Sequence, residues 1–363
     1  MAAHEYECPA CAGVMEFDAS LQKLKCQFCD TVISVDEYKK MVSKKESESA
    51  NHAPGGFHDQ MTAEDADNAG FGEDKNVYLC QSCGGEIIAD KTQGAATCPF
   101  CGNNVTFKEV FTKGRKPDYI IPFKLTKQQA KDKYREYAKS KKLVPKAFTN
   151  ESHIDEIKGV YIPYWLFDAS AQGHLDAECT KVRTWSDKDY AYTETSHYSV
   201  SRDGNESFTM VPVDGSSHMP DELTEAIEPF NKEGLVAYDE AYLAGYVANQ
   251  YDVSEAECAK RARQRITNSF SSDMRASVSG YSSVHVVNNT INIDEKKVNY
   301  ALYPVWLLNT TYKGQRYLFA MNGQTGKFIG DLPADEGLVK KYYFIYAGIA
   351  ALAMIIFEMI FKI

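Results

Sequence analysis

Four patterns of apolar and polar positions run along this chain, and each predicts a different kind of element. The last is the plainest. From Tyr342 to Phe361 the sequence is apolar apart from Glu358. As a helix, this run of 20 residues covers about 30 Å, the thickness of the hydrocarbon layer of a bilayer. Tyr342, Tyr343 and Tyr346 gather at the entering end, as interfacial aromatics do. Lys340 and Lys341 precede the run, which predicts a single-pass anchor over 341–363 with the long N-terminal part in the cytoplasm. Two readings of Glu358 are open: it reaches the far interface, or it faces a partner helix.

A helical period marks two further stretches. Cys258, Ala262, Ile266, Phe270 and Met274 recur at a spacing of four, behind a capping box formed by Ser254 and Glu257. This predicts a helix to about Arg275 with Cys258 as a core thiol. Thr126 and Gln129 open a second helix in the same way. Lys127, Lys131, Lys133, Arg135, Lys139, Lys141 and Lys142 follow. They form a solvated face, or a surface for an anionic membrane or an acidic partner.

Strand patterns, rich in aromatic and β-branched residues, fill most of 159–340. Strands are expected at Val160–Phe167, Gly173–Arg183, Tyr190–Val200, Ser207–Val213, Tyr242–Ala248, Ser283–Ile293, Tyr300–Tyr312 and Arg316–Met321. A short helix is expected from Asp221 to Phe230. The body therefore reads as mostly antiparallel α+β. It contains an echo: Tyr161-Ile162-Pro163-Tyr164-Trp165-Leu166 resembles Leu302-Tyr303-Pro304-Val305-Trp306-Leu307. The echo suggests two similar halves, with Pro163 and Pro304 at a strand start or an edge and Trp165 and Trp306 in the core. Gly323 to Lys327 forms a hairpin tip. It is no phosphate loop, because the glycine spacing is wrong and Phe328 stands where Ser or Thr is required. By contrast, 43–75 has sparse apolar residues without period and a series of acids, and disorder is expected there.

The candidate chemistry lies in a duplicated cysteine frame. Cys8, Cys11, Cys26 and Cys29 are repeated 72 positions later as Cys80, Cys83, Cys98 and Cys101. Each frame holds two Cys-x-x-Cys pairs separated by 14 residues. This spacing lets four thiolates meet one tetrahedral ion, so two closed structural Zn²⁺ sites are expected, with iron as the other ion such a cage takes. Val14–Phe17 with Leu21–Leu24, and Glu86–Ala89 with Ala95–Thr97, would be the hairpin arms. Gly84 and Gly102 supply left-handed backbone after a pair, where the first frame has Ala12-Gly13 and Asp30. With no signal peptide ahead of Cys8, a reducing compartment is expected, which favours metal over disulfides. Neither module has the apolar content to fold without its ion, and the linker would let the two move independently.

The expected layout is a zinc ribbon at 1–40, a disordered acidic linker at 41–75, a second ribbon at 76–112, the α+β body at 113–340 and the membrane anchor at 341–363. The net charge of −10 argues against nucleic acid as the partner of the whole chain. Residues 1–40 carry four Lys/Arg against seven Asp/Glu, a poor match for phosphates. No nucleophile elbow, His-Glu-x-x-His pair or Walker loop is present, so an enzyme is not expected. Still, His153, His174, His197, His218 and His285 could be gathered by folding.

Together the double cysteine frame, the Pro-x-Trp-Leu segments, the Asn-Gly-Gln-Thr-Gly-Lys hairpin and the terminal anchor resemble bacterial TFIIB-type zinc-ribbon proteins. These sometimes carry a primosomal-helicase label, for which the sequence offers no nucleotide-binding loop. Some relatives in that group look like membrane partners of SPFH-type proteins and of the phage-shock protein A family in envelope-stress systems. The resemblance thus implies a membrane-bound scaffold that brings such partners to the cytoplasmic face. Nucleic-acid binding by the ribbons is the alternative.

Overall fold

A computed structural model describes residues 6–49, 75–79, 86–90, 93–97, 104–106, 115–149, 157–217 and 219–361. Two very long strands dominate it. Strand β9 (Lys158–Ser186) and strand β13 (Ser283–Tyr312) pair antiparallel from Thr180 opposite Ser283 to Lys158 opposite Leu307. Strand β10 (Ala191–Asp214) returns along β9, and β14 (Gln315–Asn322) returns along β13. The sequence predicts shorter strands here, broken at Asp168–Gln172, at Ser201–Glu206 and at Asp294–Asn299. The structure joins them, because Gly173, Gly204 and the polar runs between them stay in extended pairing.

The central sheet is extended on both sides by short strands. Strand β8 (Tyr119–Ile120) runs parallel to β13, and β12 (Val247–Asn249) runs parallel to β9. Beyond them lie β11 (Val236–Ala237) on β8, and β6 (Gln93–Thr97) with β7 (Asn104–Thr106) on β12. Strand β15 (Phe328–Ile329) borders β14. The strand expected over Tyr242–Ala248 is instead a 3₁₀ turn at Glu240–Leu243 followed by β12.

Pro163 and Pro304 sit neither at a strand start nor at an edge, contrary to the sequence expectation. Both lie inside the long central strands. The geometry shows why this is tolerated. Along β9, β12 pairs with Val160 and Tyr161, while β10 pairs from Tyr164 onward. Along β13, β8 pairs with Ala301 and Leu302, while β14 pairs from Val305 onward. Each proline therefore falls where the flanking strand changes. A residue's N–H and C=O face the same neighbour, and the carbonyls of Pro163 and Pro304 accept from Gly215 and Gly323 N–H at 2.8 Å each. The missing N–H faces that same seam, and at Pro163 the Gly215 carbonyl it would have met accepts instead from the Asp252 and Val253 N–H groups.

Two long helices form as expected. Helix α2 (Lys127–Ser140) and helix α4 (Glu255–Ser277) each open on a complete capping box, at Thr126/Gln129 and Ser254/Glu257. Between them lies the short helix α3 (Asp221–Ala226). Cys258, Ala262, Ile266, Phe270 and Met274 are buried on one face of α4; the last three pack with Ala169, Ala171, Leu175 and Val200 of β9 and β10, and the first two join the cluster of Trp165 and Phe167. On α2, Tyr134 meets Phe319 and Phe328 of the other hairpin. Trp165 and Trp306 are core residues, 2% and 5% exposed. The indole of Trp165 donates to Val253 O at 3.0 Å and that of Trp306 to Leu125 O at 3.2 Å. Each accepting carbonyl belongs to the residue just before a helix N-cap.

The two ends of the long sheet differ. At one end the β13/β14 turn packs on the segment after α2, where Phe148 meets Tyr312 at 5.3 Å and Tyr317 at 5.4 Å. Here Asp335 N–H donates to Leu143 O at 2.7 Å, and helix α5 (Glu336–Phe361) begins. It starts earlier than the apolar run predicts, because Asp335 caps it through Leu338 N–H. This helix is long and apolar enough to cross a membrane. At the other end, β9 and β10 continue past the start of β13 as a two-stranded ribbon, from Lys181/Ser196 to Ser186/Ala191. Trp185 stacks on Tyr192 there at 5.6 Å and 14°, with the Arg183 guanidinium over the indole. Tyr190 is 69% exposed.

Replacing Trp165 or Trp306 by Phe removes a buried donor and leaves a carbonyl unpaired, so each is expected to cost about 1–3 kcal/mol. Urea unfolding of the detergent-solubilised chain measures this as a lower midpoint for each variant, with the slope unchanged.

Candidate metal centre

The first cysteine frame forms a single cluster. Strands β1 (Met15–Asp18) and β2 (Lys23–Cys26) make the expected hairpin, slightly shifted from the predicted arms, and β3 (Val32–Ile33) joins β2. Two tight turns carry the thiols. Ala12 N–H donates to Cys8 O at 2.8 Å, and Cys26 N–H to Thr31 O at 2.8 Å. Ala12 (φ 57°) and Asp30 (φ 56°) follow the cysteine pairs in left-handed backbone, the conformation that would favour glycine.

The Sγ atoms of Cys8, Cys11, Cys26 and Cys29 all lie within 4.8 Å of one another. Cys8 and Cys29 are 3.6 Å apart and Cys11 and Cys26 are 3.5 Å apart. A tetrahedron built on Zn–S bonds of about 2.3 Å has S···S edges of about 3.8 Å, so the donor set fits that ion. Cys80, Cys83, Cys98 and Cys101 lie outside the described residues. The strands around them pair differently from the expected hairpin. Strand β5 (Glu86–Asp90) pairs with β4 (Lys75–Leu79), and β6 pairs with β7 and β12.

Electrostatics also suit a dication. Thr31, whose Oγ1 lies 3.1 Å from Cys29 Sγ, and its backbone N–H draw that thiol down to about 6. Burial raises Cys8, but the N–H groups of Ala10 and Cys11 outweigh it and the net shift is downward. At Cys11 the Gly13 N–H favours the thiolate, yet the neighbouring sulfurs of Cys29 and Cys26 push it up to about 12. Four thiolates at this spacing repel one another, and a bound dication removes that repulsion. Thr31 is a partner that cysteine spacing alone does not reveal.

The module is not free. Met15, Phe17 and Leu24 share a core with Ala241 and Ala244 of the body. Phe17 N–H donates to Ala244 O at 3.0 Å, Gln22 to Phe123 O at 2.7 Å, and Lys39 pairs with Asp239 at 2.6 Å. This corrects the expectation of an independently moving lobe. A second correction concerns the linker. Helix α1 (Val35–Ser49) occupies its first residues, opened by a Ser34/Glu37 capping box that the sequence carries in plain view. Residues 50–74 lie outside the described set. Beside the module, an open cleft of about 510 Å³ is lined by Glu16, Asp18, Lys25, Lys127, Lys158 and Trp306.

Folding places three histidines on one sheet face without clustering them, since His285 and His197 stand opposite Glu178 and Thr180, four and six residues along β9 from His174. His174, His197 and His285 share the sheet face opposite α4, since Cys179 and Ala177 of the intervening positions face the helix. His153 and His218 lie outside the described residues. His174 Nδ1 is 2.7 Å from Asp203 and Nε2 is 3.1 Å from Asp176, with Ser201 Oγ at 3.3 Å. Asp203, then Asp176, raise its pKa above the usual value. The two carboxylates favour the protonated imidazole, and the three side chains form an exposed ion cluster. Buried Cys258 donates its thiol to Asp214 O at 3.3 Å, and burial pushes it up to about 12.

Cys26→Ser is expected to lower the metal content of the purified chain by one equivalent, read by elemental analysis. Protons compete with the ion for thiolate, so metal retention falls as pH falls. His174 behaves in the opposite sense to a carboxylate. Its folded value is raised, so its pairs contribute fully below about pH 6.5 and fade as pH rises through the raised value. An NMR titration should show the shift, and Asp203→Asn should reduce it.

No protein-family model matches the chain, and no solved structure matches it. The uncharacterized protein YdjG of Bacillus subtilis (strain 168) is 32% identical over 355 residues, which covers 96% of this chain and 96% of that protein. Similarity of that extent covers nearly the whole of both chains, and the chain belongs to the family of YdjG.

Proposed function

We propose that this chain is a non-enzymatic adaptor held in the cell membrane by α5, with the zinc-stapled N-terminal part and the body in the cytoplasm. One observation carries the reading. The apolar helix leaves one end of a continuous sheet, and an exposed aromatic ribbon stands at the other. Strand β13 alone has 30 residues, which at about 3.3 Å each span roughly 100 Å. A partner bound to the ribbon would be held far from the bilayer yet tethered to it. Trp185, Tyr190, Tyr192 and Arg183 are the residue types that dominate protein interfaces. The four-cysteine cage supports a structural role for the ion, because no ligand position is left for a catalytic water.

The body reads as two copies of one plan, each a capped helix, a long strand and a returning strand that ends in Asp-Gly or Asn-Gly. In support, Pro163 and Pro304, and Trp165 and Trp306, are each 141 positions apart. Their hydrogen bonds to Gly215 and Gly323, and to Val253 and Leu125, correspond one to one. Buried Asp214 and Asn322 also occupy corresponding places, opposite Tyr164 and Val305. In this reading one hairpin stayed short and faces the membrane, and the other lengthened into the partner-binding arm. Protein partners of SPFH type and of the phage-shock protein A family are the first to test.

The test is affinity purification of the full chain from solubilised membranes, beside a Trp185→Ala/Tyr192→Ala variant. The expected result is one stoichiometric partner with wild type, lost with the variant while the chain still resists alkaline extraction from the membrane. Extraction of the wild-type chain by alkali would overturn the anchor. Tight, salt-sensitive filter binding of nucleic acid would replace the adaptor reading with the alternative.

A further inference from the structure

We propose that the end of the body from which α5 departs is a docking surface for the anionic phospholipid headgroups of the membrane that holds it. This rests on the reading of α5 as an anchor and extends it from tethering to orientation.

Three elements distant in sequence bring lysines to this end. Lys139, Lys141 and Lys142 lie at the C-terminal end of α2, Lys313 at the β13/β14 turn, and Lys340 and Lys341 near the start of α5; all six are exposed. Two contacts hold the elements together. Asp335 N–H donates to Leu143 O at 2.7 Å, which fixes the start of α5 to the exit of α2. Phe148, just beyond, packs on Tyr312 and Tyr317 on either side of the turn. From Asp335 to Lys340 the helix rises only about 8 Å, so the lysines ring one small area.

The surrounding acids do not cancel this charge. Asp331 lies near the Tyr137 hydroxyl, Asp335 accepts from Leu338 N–H at 2.9 Å as a helix cap, and Glu336 sits in the first turn of α5. Among the described residues, the six cations thus stand beside Asp331, Asp335, Glu336 and Glu136 of α2, at one end of a chain whose net charge is −10. Two of the lysines lie over rings, Lys141 over Tyr137 at 5.3 Å and Lys313 over Tyr312 at 5.5 Å. Tyrosine beside lysine is the side-chain pairing suited to the boundary between headgroups and water.

The choice of occupant follows from the anchor. The apolar run begins one residue after Lys341, so this surface cannot leave the bilayer's edge. The local headgroup density there far exceeds that of any soluble anion. An anionic leaflet repels a net-acidic body, and this is the face that can approach it. Docking would set the long sheet upright and point the aromatic ribbon away from the bilayer.

The test uses full-length protein in lipid nanodiscs, one set of phosphatidylcholine and one with about 30% phosphatidylglycerol. Amine-reactive labelling is mapped by mass spectrometry, with Lys188 at the far tip as internal reference. Labelling of Lys139, Lys141, Lys142 and Lys313 should fall about threefold or more in the anionic discs and recover at high salt, as an interfacial electrostatic contact does. The variant Lys141→Glu/Lys142→Glu/Lys313→Glu should insert equally well and show the same labelling of Lys139 in both discs. Equal labelling of the wild type in both compositions overturns the proposal while leaving the anchor intact. Protection by inorganic phosphate in phosphatidylcholine discs overturns the lipid assignment in favour of a general anion site. Failure to enter either disc removes the anchor, and the proposal with it.

Discussion

The pairing of β9 with β13 is the constraint on which the rest of the fold depends. Each strand carries a proline, a tryptophan and a returning neighbour, and each offers its outer side to a short parallel strand from elsewhere in the chain. Once the two strands are in register, the Trp165 and Trp306 indoles stand beneath the first turns of α4 and α2 and fix where both helices begin. The helices then cover the hairpins, α4 over β9 and β10 and α2 over β14 and β15. The core is thereby assembled from contacts far apart in sequence, and little of it could form before the central pair.

Much of this was legible where local chemistry and long-range packing agree. The capping boxes at Thr126 and Ser254 mark helix starts because their hydrogen bonds close within four residues. The buried stripe of α4 follows from its spacing of four. The cysteine frame is readable because two-residue loops and tetrahedral coordination leave few other arrangements. What stayed hidden depends on partners that no window of sequence contains. Polar residues of β9, β10 and β13 break the alternation that identifies strands, yet these strands run on, because ladder hydrogen bonds do not require an apolar side chain. The prolines misled for a related reason. Their exclusion from central strands assumes a continuous neighbour, and here the neighbour changes at each proline.

The first cysteine frame would divide its stability between a bound ion and packing. Four sulfurs replace the centre of a core, while Met15, Phe17 and Leu24 supply an apolar base shared with Ala241 and Ala244. An ion alone would fold a small lobe but leave it adrift. The shared base fixes it to the body, next to the cleft bordered by Lys127 and Trp306. Loss of the ion would therefore be felt beyond the cage, through Phe17 and Tyr242, whose rings meet edge to face at 5.1 Å.

The seams at Pro163 and Pro304 carry a consequence for assembly. A hairpin strand that overran its proper end would have to continue its ladder opposite a residue with no hydrogen to give. The proline ring thus acts as a stop, ending β10 and β14 where β12 and β8 must be admitted. Without such stops, the two long hairpins could zip past the junction and shut out the short parallel strands. The two imino acids thus keep both junctions open to their parallel strands.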